Sequence, residues 1–240
     1  GLVDFERTQA VTALVLAAGV PAPAVLAADN SGHAGRRYLL LEHVEGTPWQ
    51  QVRRQLQPSQ VAAAHRQIAN AVLSLQSIGY ESFGELDRQG RPSGQSLLDA
   101  LRRRAELRVV DRRARDLFHR LLDRNAELFT GPQLPTLCHD DLHHGNVLLR
   151  GRHGRWELAG LLDWDKAWAG PAESDIARMA FWDDMTGPDF WRVYRAAAPA
   201  ADGQDERFLI YQLLWCLEYD DGSARHGADT AALVRRLGLP

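Results

Sequence analysis

The sequence has almost no lysine. Of its 28 basic residues one, Lys166, is lysine and the others are arginine. Any chemistry that needs an ammonium group must use that residue or do without it. Cysteine is nearly as scarce, with Cys138 and Cys216 far apart in apolar surroundings. Two thiols so placed exclude a disulfide framework. They read as buried, reduced groups, which makes the cytoplasm the expected compartment. No apolar run approaches the roughly 18 residues of a membrane span. "VTALVLAAGV" is too short to span and lacks the flanks of a secretion signal. Positive charge is not in excess either. A net charge of −3 does not favour nucleic acid as a partner.

What is present is ordinary for a soluble globular chain: 240 residues, 45% hydrophobic and 25% charged. That length buries a full core, as one large domain or two small lobes. Phe5, Val11, Leu14, Val15 and Ala18 recur at helical spacing until Gly19 and Pro21. Residues 24–44 read as a β-hairpin around "DNSGHAG", and "EGTPW" as a hinge after it. From Pro58, the positions Val61, His65, Ile68, Val72 and Leu75 mark a long amphipathic helix that Gly79 stops. "FGELDRQGRPSG" reads as loop. Helices are expected over 95–108 and 112–129, the second capped by Asp111.

"PTLC", "NVLLR" and "GRWELAGLLDW" read as short strands with a turn at "GRHGR". After "DKAWAGPAES" helices are expected over 174–182, 188–198, 206–219 and 230–237. The outline is a small αβ cap, residues 1–46, on a mostly helical body, residues 47–240. Arg102–Arg104, Arg112, Arg113 and Arg115 alternate with Glu106, Asp111 and Asp116, which predicts a salt-bridged solvent face. Trp182, Trp191 and Trp215 read as core, with stacking on a sugar as the alternative.

One stretch resists a purely structural reading. "LCHDDLHHGNVLLR" packs three His, two Asp and an Asn into residues 139–146, between apolar runs. Polar groups this dense beside buried segments are costly unless they bind or react. His139 and His143 stand four apart, as zinc ligands do on a helix. Pro135, Gly145 and the β-like flanks make the segment a loop, where that spacing means little. A self-capping turn would account for this loop alone. It does not account for a second acidic strand end, "LLDWD". Asp141, Asn146, Asp163 and Asp165 together suggest a convergent oxygen-rich site, suited to Mg²⁺ rather than zinc.

These two motifs, H-x-D-x-x-x-x-N and then L-L-D-W-D, resemble the catalytic and metal loops of the aminoglycoside phosphotransferase family, relatives of the protein kinases. "YLLLEHVEG" is similar to that family's adenine-holding strand and hinge, and "FGEL" to its loop after the first long helix. "ESDIAR" is similar to its acidic helix start. "MAFWDD" resembles the hygromycin phosphotransferase branch more weakly.

The resemblance implies an α+β, protein-kinase-like bilobal fold with a truncated N-terminal lobe and a mostly helical C-terminal lobe. It makes Asp141 the catalytic base and Asn146 and Asp163 the Mg²⁺ ligands. Asp165 is assigned to a second metal, with a solvated loop acid as the alternative. His139, His143 and Asp175 support the loops. The backbone at Glu42 and Val44 meets adenine of ATP or GTP. The acceptor is a hydroxyl of a small molecule, best an aminoglycoside-type antibiotic, which would make the chain a resistance enzyme. Asp183, Asp184, Glu218 and Asp221 form an acidic wall for a cationic substrate, with solvated helix ends as the alternative.

The family's glycine-rich nucleotide loop and its Lys-bearing strand have no counterpart before residue 40. Glu6 stands where the partner of that Lys is expected, with a solvated first-turn acid as the alternative. A fragment of a longer enzyme is the favoured explanation. A variant using Arg, or a degenerate binding module without catalysis, are the others. Weak nucleotide affinity and self-association through the truncated lobe are expected.

Overall fold

The first helix forms because Asp4 caps it. Its carboxylate accepts from the backbone N–H of Glu6 at 3.2 Å and Arg7 at 3.3 Å, and α1 runs Phe5–Ala17 behind it. The structure, a computed structural model, describes residues 4–33, 35–219 and 222–239. β1 (Val25–Asp29) and β2 (Tyr38–Leu41) pair antiparallel, Val25 opposite Leu41 and Asp29 opposite Tyr38. This hairpin packs on α1. Its other face leaves Leu26 62% and Leu40 53% exposed, beside Tyr38 and Leu41.

β3 (Thr47–Pro48) and the short α2 (Trp49–Val52) lead into α3 (Pro58–Gln76). Pro58 begins α3, and a reciprocal box between Gln57 and Gln60 caps it. β4 (Gly84–Glu85) precedes α4 (Leu97–Arg108), capped by Ser96, and α5 (Arg112–Arg124), capped by Asp111. β5 (Pro135–Cys138), β6 (Val147–Arg152), β7 (Arg155–Leu161) and β8 (Trp168–Pro171) follow. The chain then continues as α6 (Ala172–Phe181), α7 (Pro188–Ala197), α8 (Gln204–Glu218) and α9 (Ala224–Arg236).

Two small antiparallel sheets lie below the hairpin, in the orders β3-β6-β7 and β4-β8-β5. β6 and β7 join through His153 and Gly154, both at positive φ (49° and 76°), the two-residue turn whose twist suits a hairpin. One core packs Val11 and Val15 of α1 with Trp49, Ile68, Val72 and Leu75 against the β6–β7 sheet and Phe190. A second packs Leu101, Phe118, Leu121, Ile210, Leu213 and Trp215 among α4, α5, α8 and α9. No helix among the described residues is long and apolar enough to cross a membrane.

The structure departs from the sequence reading in several places, including the short strands β3 in "EGTPW" and β4 in "FGEL". "WAGP" is not loop but β8, the central strand of its sheet, buried at every position. Gly170 there lies so close to the Trp168 indole that an added Cβ would sit 2.4 Å from it. The helix expected over 112–129 breaks at Asn125 and ends as one tight turn, Ala126–Phe129. The last helix begins at Ala224 rather than near 230, because Ser223 caps it through the His226 N–H at 3.1 Å. Polar residues and Gly227 fill its first turns, so apolar spacing does not reveal them.

Candidate active site

β5 and β6 end and begin on either side of the "HDDLHHGN" loop, and β7 delivers "LLDWD" beside it. One backbone bond joins the two loops: the Leu162 N–H donates to the Asn146 carbonyl at 2.8 Å. His139, fully buried, adds a second tie. Its Nδ1 accepts from the Asp141 N–H at 3.2 Å, so Nε2 carries the proton and donates to the Leu162 carbonyl at 2.8 Å. Burial lowers the His139 pKa, against the pull of Asp141 and Asp163, and the ring is a neutral strut. Its face lies 4.4 Å from the Trp164 ring centre.

Asn146 donates its Nδ2 to the Asp141 carbonyl at 3.0 Å. Among the described residues no hydrogen bond occupies Asn146 Oδ1 or the Asp163 carboxylate. Asp163 holds a left-handed backbone (φ 65°), a costly conformation for a side chain other than glycine, and functional sites collect such residues. Asp165 is spent differently. Its Oδ1 accepts from the Thr8 hydroxyl at 3.1 Å and its carbonyl accepts from Arg7, tying α1 to this loop. Burial and the neighbouring Asp163 raise its pKa.

Asn146 Oδ1 and the Asp163 carboxylate thus offer oxygen donors from two rigid loops. No group of three or more His, Cys, Asp or Glu among the described residues could hold a metal unaided. That donor set fits Mg²⁺, which takes one or two protein oxygens and completes its shell with phosphate oxygens and water.

Beneath the loops lies a buried charge cluster. Arg104 of α4 pairs with Asp140 and Glu85, donates to the Lys166 carbonyl at 3.0 Å and stands 3.6 Å from Glu218. Arg178 of α6 stands 3.4 Å from Asp140 and 3.8 Å from Glu218. Burial alone would raise the Asp140 carboxyl, but Arg104 and Arg178 outweigh it and hold Asp140 ionised. Ser174 donates to its other oxygen at 3.0 Å. Asp140 has positive φ (62°), which turns its carboxylate inward toward the cluster.

Asp175 accepts the N–H groups of His139 (2.8 Å) and Asp140 (2.6 Å) and so grips the loop by its backbone. Burial, with Asp140 beside it, lifts the Asp175 carboxyl from 3.8 to about 7. The folded protein therefore keeps that proton to higher pH than the unfolded chain. Its contribution to stability is full at acid pH and lost as pH rises through 7. The unfolding temperature of the wild type, taken relative to Asp175→Asn, should fall as pH rises from about 4 to about 7. A pH-independent difference in thermal melts would contradict this.

His143 accepts the Gly145 N–H at 3.0 Å and packs its ring 5.7 Å from Trp182. A Cβ at Gly145 would meet that ring at 2.9 Å, so a larger residue there would displace the imidazole. His144, given no role from the sequence, lies against Arg53, which donates to the Asp183 carbonyl at 2.7 Å. At the hinge, Glu42 donates its N–H to the Ala24 carbonyl at 2.8 Å. The Glu42 carbonyl and Val44 N–H make no backbone bond among the described residues. Val44 packs over Gly160 of β7.

The acidic wall is thinner than the sequence suggested. Glu218 does not belong to it: its side chain is 4% exposed and spent inside the Arg104–Arg178 cluster, where burial raises its pKa. The neighbouring acid Asp189, not counted in that wall, pairs with Arg66 and Arg192, both at 2.9 Å. Asp183 and Asp184 are exposed at the turn after α6, near Arg225 (3.2 Å) and Arg53 (3.7 Å) respectively. Asp221 lies outside the described residues. Arg104 corrects the solvent-face reading of its neighbours, since it is 1% exposed while Arg102 and Arg103 form surface pairs. The signal was in the sequence, because Leu97, Leu101, Arg104 and Ala105 share one helical face.

The profile of the phosphotransferase enzyme family APH matches residues 2–209. The chain belongs to this family. Among solved structures, a thermostable APH(4)-Ia aminoglycoside phosphotransferase superposes with a TM-score of 0.68 at 21% identity, covering 97% of this chain and 83% of that one. A ternary complex of another APH(4)-Ia variant with AMP-PNP and hygromycin B gives 0.66 at 21% identity, over 98% and 81%. A protein assigned as a fructosamine-3-kinase from Thermobifida fusca YX-ER1 gives 0.60 at 25% identity, over 99% and 81%. These likenesses show the protein-kinase-like fold of the APH enzymes. As an APH phosphotransferase the chain is a small-molecule kinase.

Proposed function

We propose that this chain transfers the γ-phosphate of ATP or GTP to a hydroxyl of a small cationic molecule, with an aminoglycoside-type antibiotic as the leading substrate class. The observation that carries the reading is the Leu162–Asn146 backbone bond. It ties the loop that carries Asp141 and Asn146 to the loop that carries Asp163, which supports a shared site where Asp141 pairs only with Lys166 and the Asp163 carboxylate accepts no hydrogen bond among the described residues. Asp141 holds the acceptor hydroxyl and takes its proton. Asn146 and Asp163 would hold Mg²⁺, which offsets charge on the phosphates when bound. The hinge backbone at Glu42 and Val44 receives adenine or guanine. His139 and Asp175 keep the loop in place through the bonds described above.

Neighbouring structures carrying AMP-PNP or ADP with hygromycin B support a nucleotide and a hydroxylated acceptor. Asp183 and Asp184 would face the acceptor's ammonium groups. Resistance is the biological role this substrate implies. The reducing cytoplasm suits the buried free thiols of Cys138 and Cys216. Self-association is proposed to run through the apolar hairpin face around Leu26 and Leu40.

The test is nucleotide turnover with a panel of aminoglycosides in Mg²⁺ buffer, read as acceptor-dependent diphosphate release with phosphoester formation followed by ³¹P NMR. Turnover with a panel member is expected. Nucleotide binding without turnover on any acceptor would favour a binding module instead. Asp163→Ala should abolish the Mg²⁺-dependent rate, and a retained rate at ordinary Mg²⁺ would count against the metal assignment.

A further inference from the structure

The two loops carry the carboxylates of Asp141 and Asp163, and four nearby arginines are spent elsewhere. Arg104 and Arg178 bury their heads on Asp140 and Glu218. Arg7 is turned to Glu85 and the Asp165 carbonyl, and Arg53 to His144 and the Asp183 carbonyl. Lys166, the single lysine of the sequence, is placed differently. Its carbonyl is fixed by Arg104 at 3.0 Å, and the chain then enters the buried strand β8. Its head reaches back to the site. Nζ stands 3.2 Å from Asp141 Oδ2 and 5.8 Å from the Tyr219 ring centre, with the side chain 27% exposed. The base of the residue is anchored and its charged end is open to a ligand.

We propose that Lys166 contacts the transferring phosphoryl group. The inference rests on the phosphotransferase reading of the same site and names a residue that reading does not use. An acceptor oxygen held by Asp141 must lie about 3–3.5 Å from the γ-phosphorus before reaction. An ammonium already on Asp141 then reaches the non-bridging γ-oxygens by rotation of its own stem. It carries three N–H donors, so one stays on Asp141 while another meets a phosphoryl oxygen. In the step itself the acceptor oxygen–phosphorus bond forms and the bond from phosphorus to the β–γ bridging oxygen breaks. The hydroxyl proton passes to Asp141, and the nucleoside diphosphate leaves with the bonding pair. Lys166 gives up no proton and forms no covalent bond. It offsets charge on the phosphoryl oxygens, whose positions are fixed by the loops that also hold Lys166.

The experiment compares the wild-type chain with Lys166→Met, Lys166→Gln and Lys166→Arg. AMP-PNP and ADP affinities are measured by calorimetry in Mg²⁺ buffer. Because ADP lacks the γ-phosphate, the Met and Gln variants should lose about tenfold or more in AMP-PNP affinity and leave ADP affinity unchanged. On an active acceptor kcat should fall about 10²-fold with the acceptor KM nearly constant, and Arg should recover much of the loss. Equal loss for both nucleotides in both variants, or no loss, would overturn the proposal. So would an unchanged or raised kcat, which would make Lys166 a plug on Asp141. Wild-type chain that binds neither nucleotide would instead overturn the phosphotransferase reading, and this inference with it.

Discussion

Replacing Asp141 by Asn is expected to lower turnover about 10²–10⁴-fold, the range for a positioned acid–base group. The substitution is nearly isosteric, and the loop does not depend on this carboxylate. The Asp141 N–H is held by His139 and its carbonyl by Asn146, both through the backbone. Only the ion pair with Lys166 is lost at the side chain. The amide cannot take the hydroxyl proton, so the loss should appear in kcat while nucleotide affinity stays within a few fold. Steady-state kinetics and calorimetry on the same preparation check both halves. A variant with wild-type turnover would remove Asp141 from the role of base.

Arg104→Met should be the most damaging substitution away from the cleft. It leaves Asp140, Glu85 and Glu218 without their shared guanidinium in a region where Asp140 and Glu218 are each 4% exposed at the side chain. Breaking a buried ion pair from one side costs about 3–5 kcal/mol, since the remaining charges keep their desolvation penalty. Urea denaturation of the variant measures it. Arg104→Lys should rescue little, because one ammonium cannot reproduce the contacts to Asp140, Glu85 and the Lys166 carbonyl together. A loss below about 1 kcal/mol would mean that the cluster is not what fixes the catalytic loop.

Much of this architecture was legible because it obeys local rules. Asp111 caps its helix, Pro58 opens one, and the β6–β7 turn carries the residues its backbone demands. The candidate loops stood out for another reason. Polar side chains crowded between apolar strands have no cheap structural use, so "HDDLHHGN" stood out from composition alone. What was missed depends on partners distant in sequence. Glu218 reads as a surface acid until Arg104 and Arg178 are seen to enclose it. Asp140 gains its inward direction from a left-handed backbone that no spacing rule reports. β8 is short and rich in small residues. Only its two neighbours, β4 and β5, make it a strand.

Arg104 is fastened to Asp140 in one loop and to the carbonyl of Lys166 in the other. One guanidinium thus couples the two loops, so a shift of its helix would carry both together.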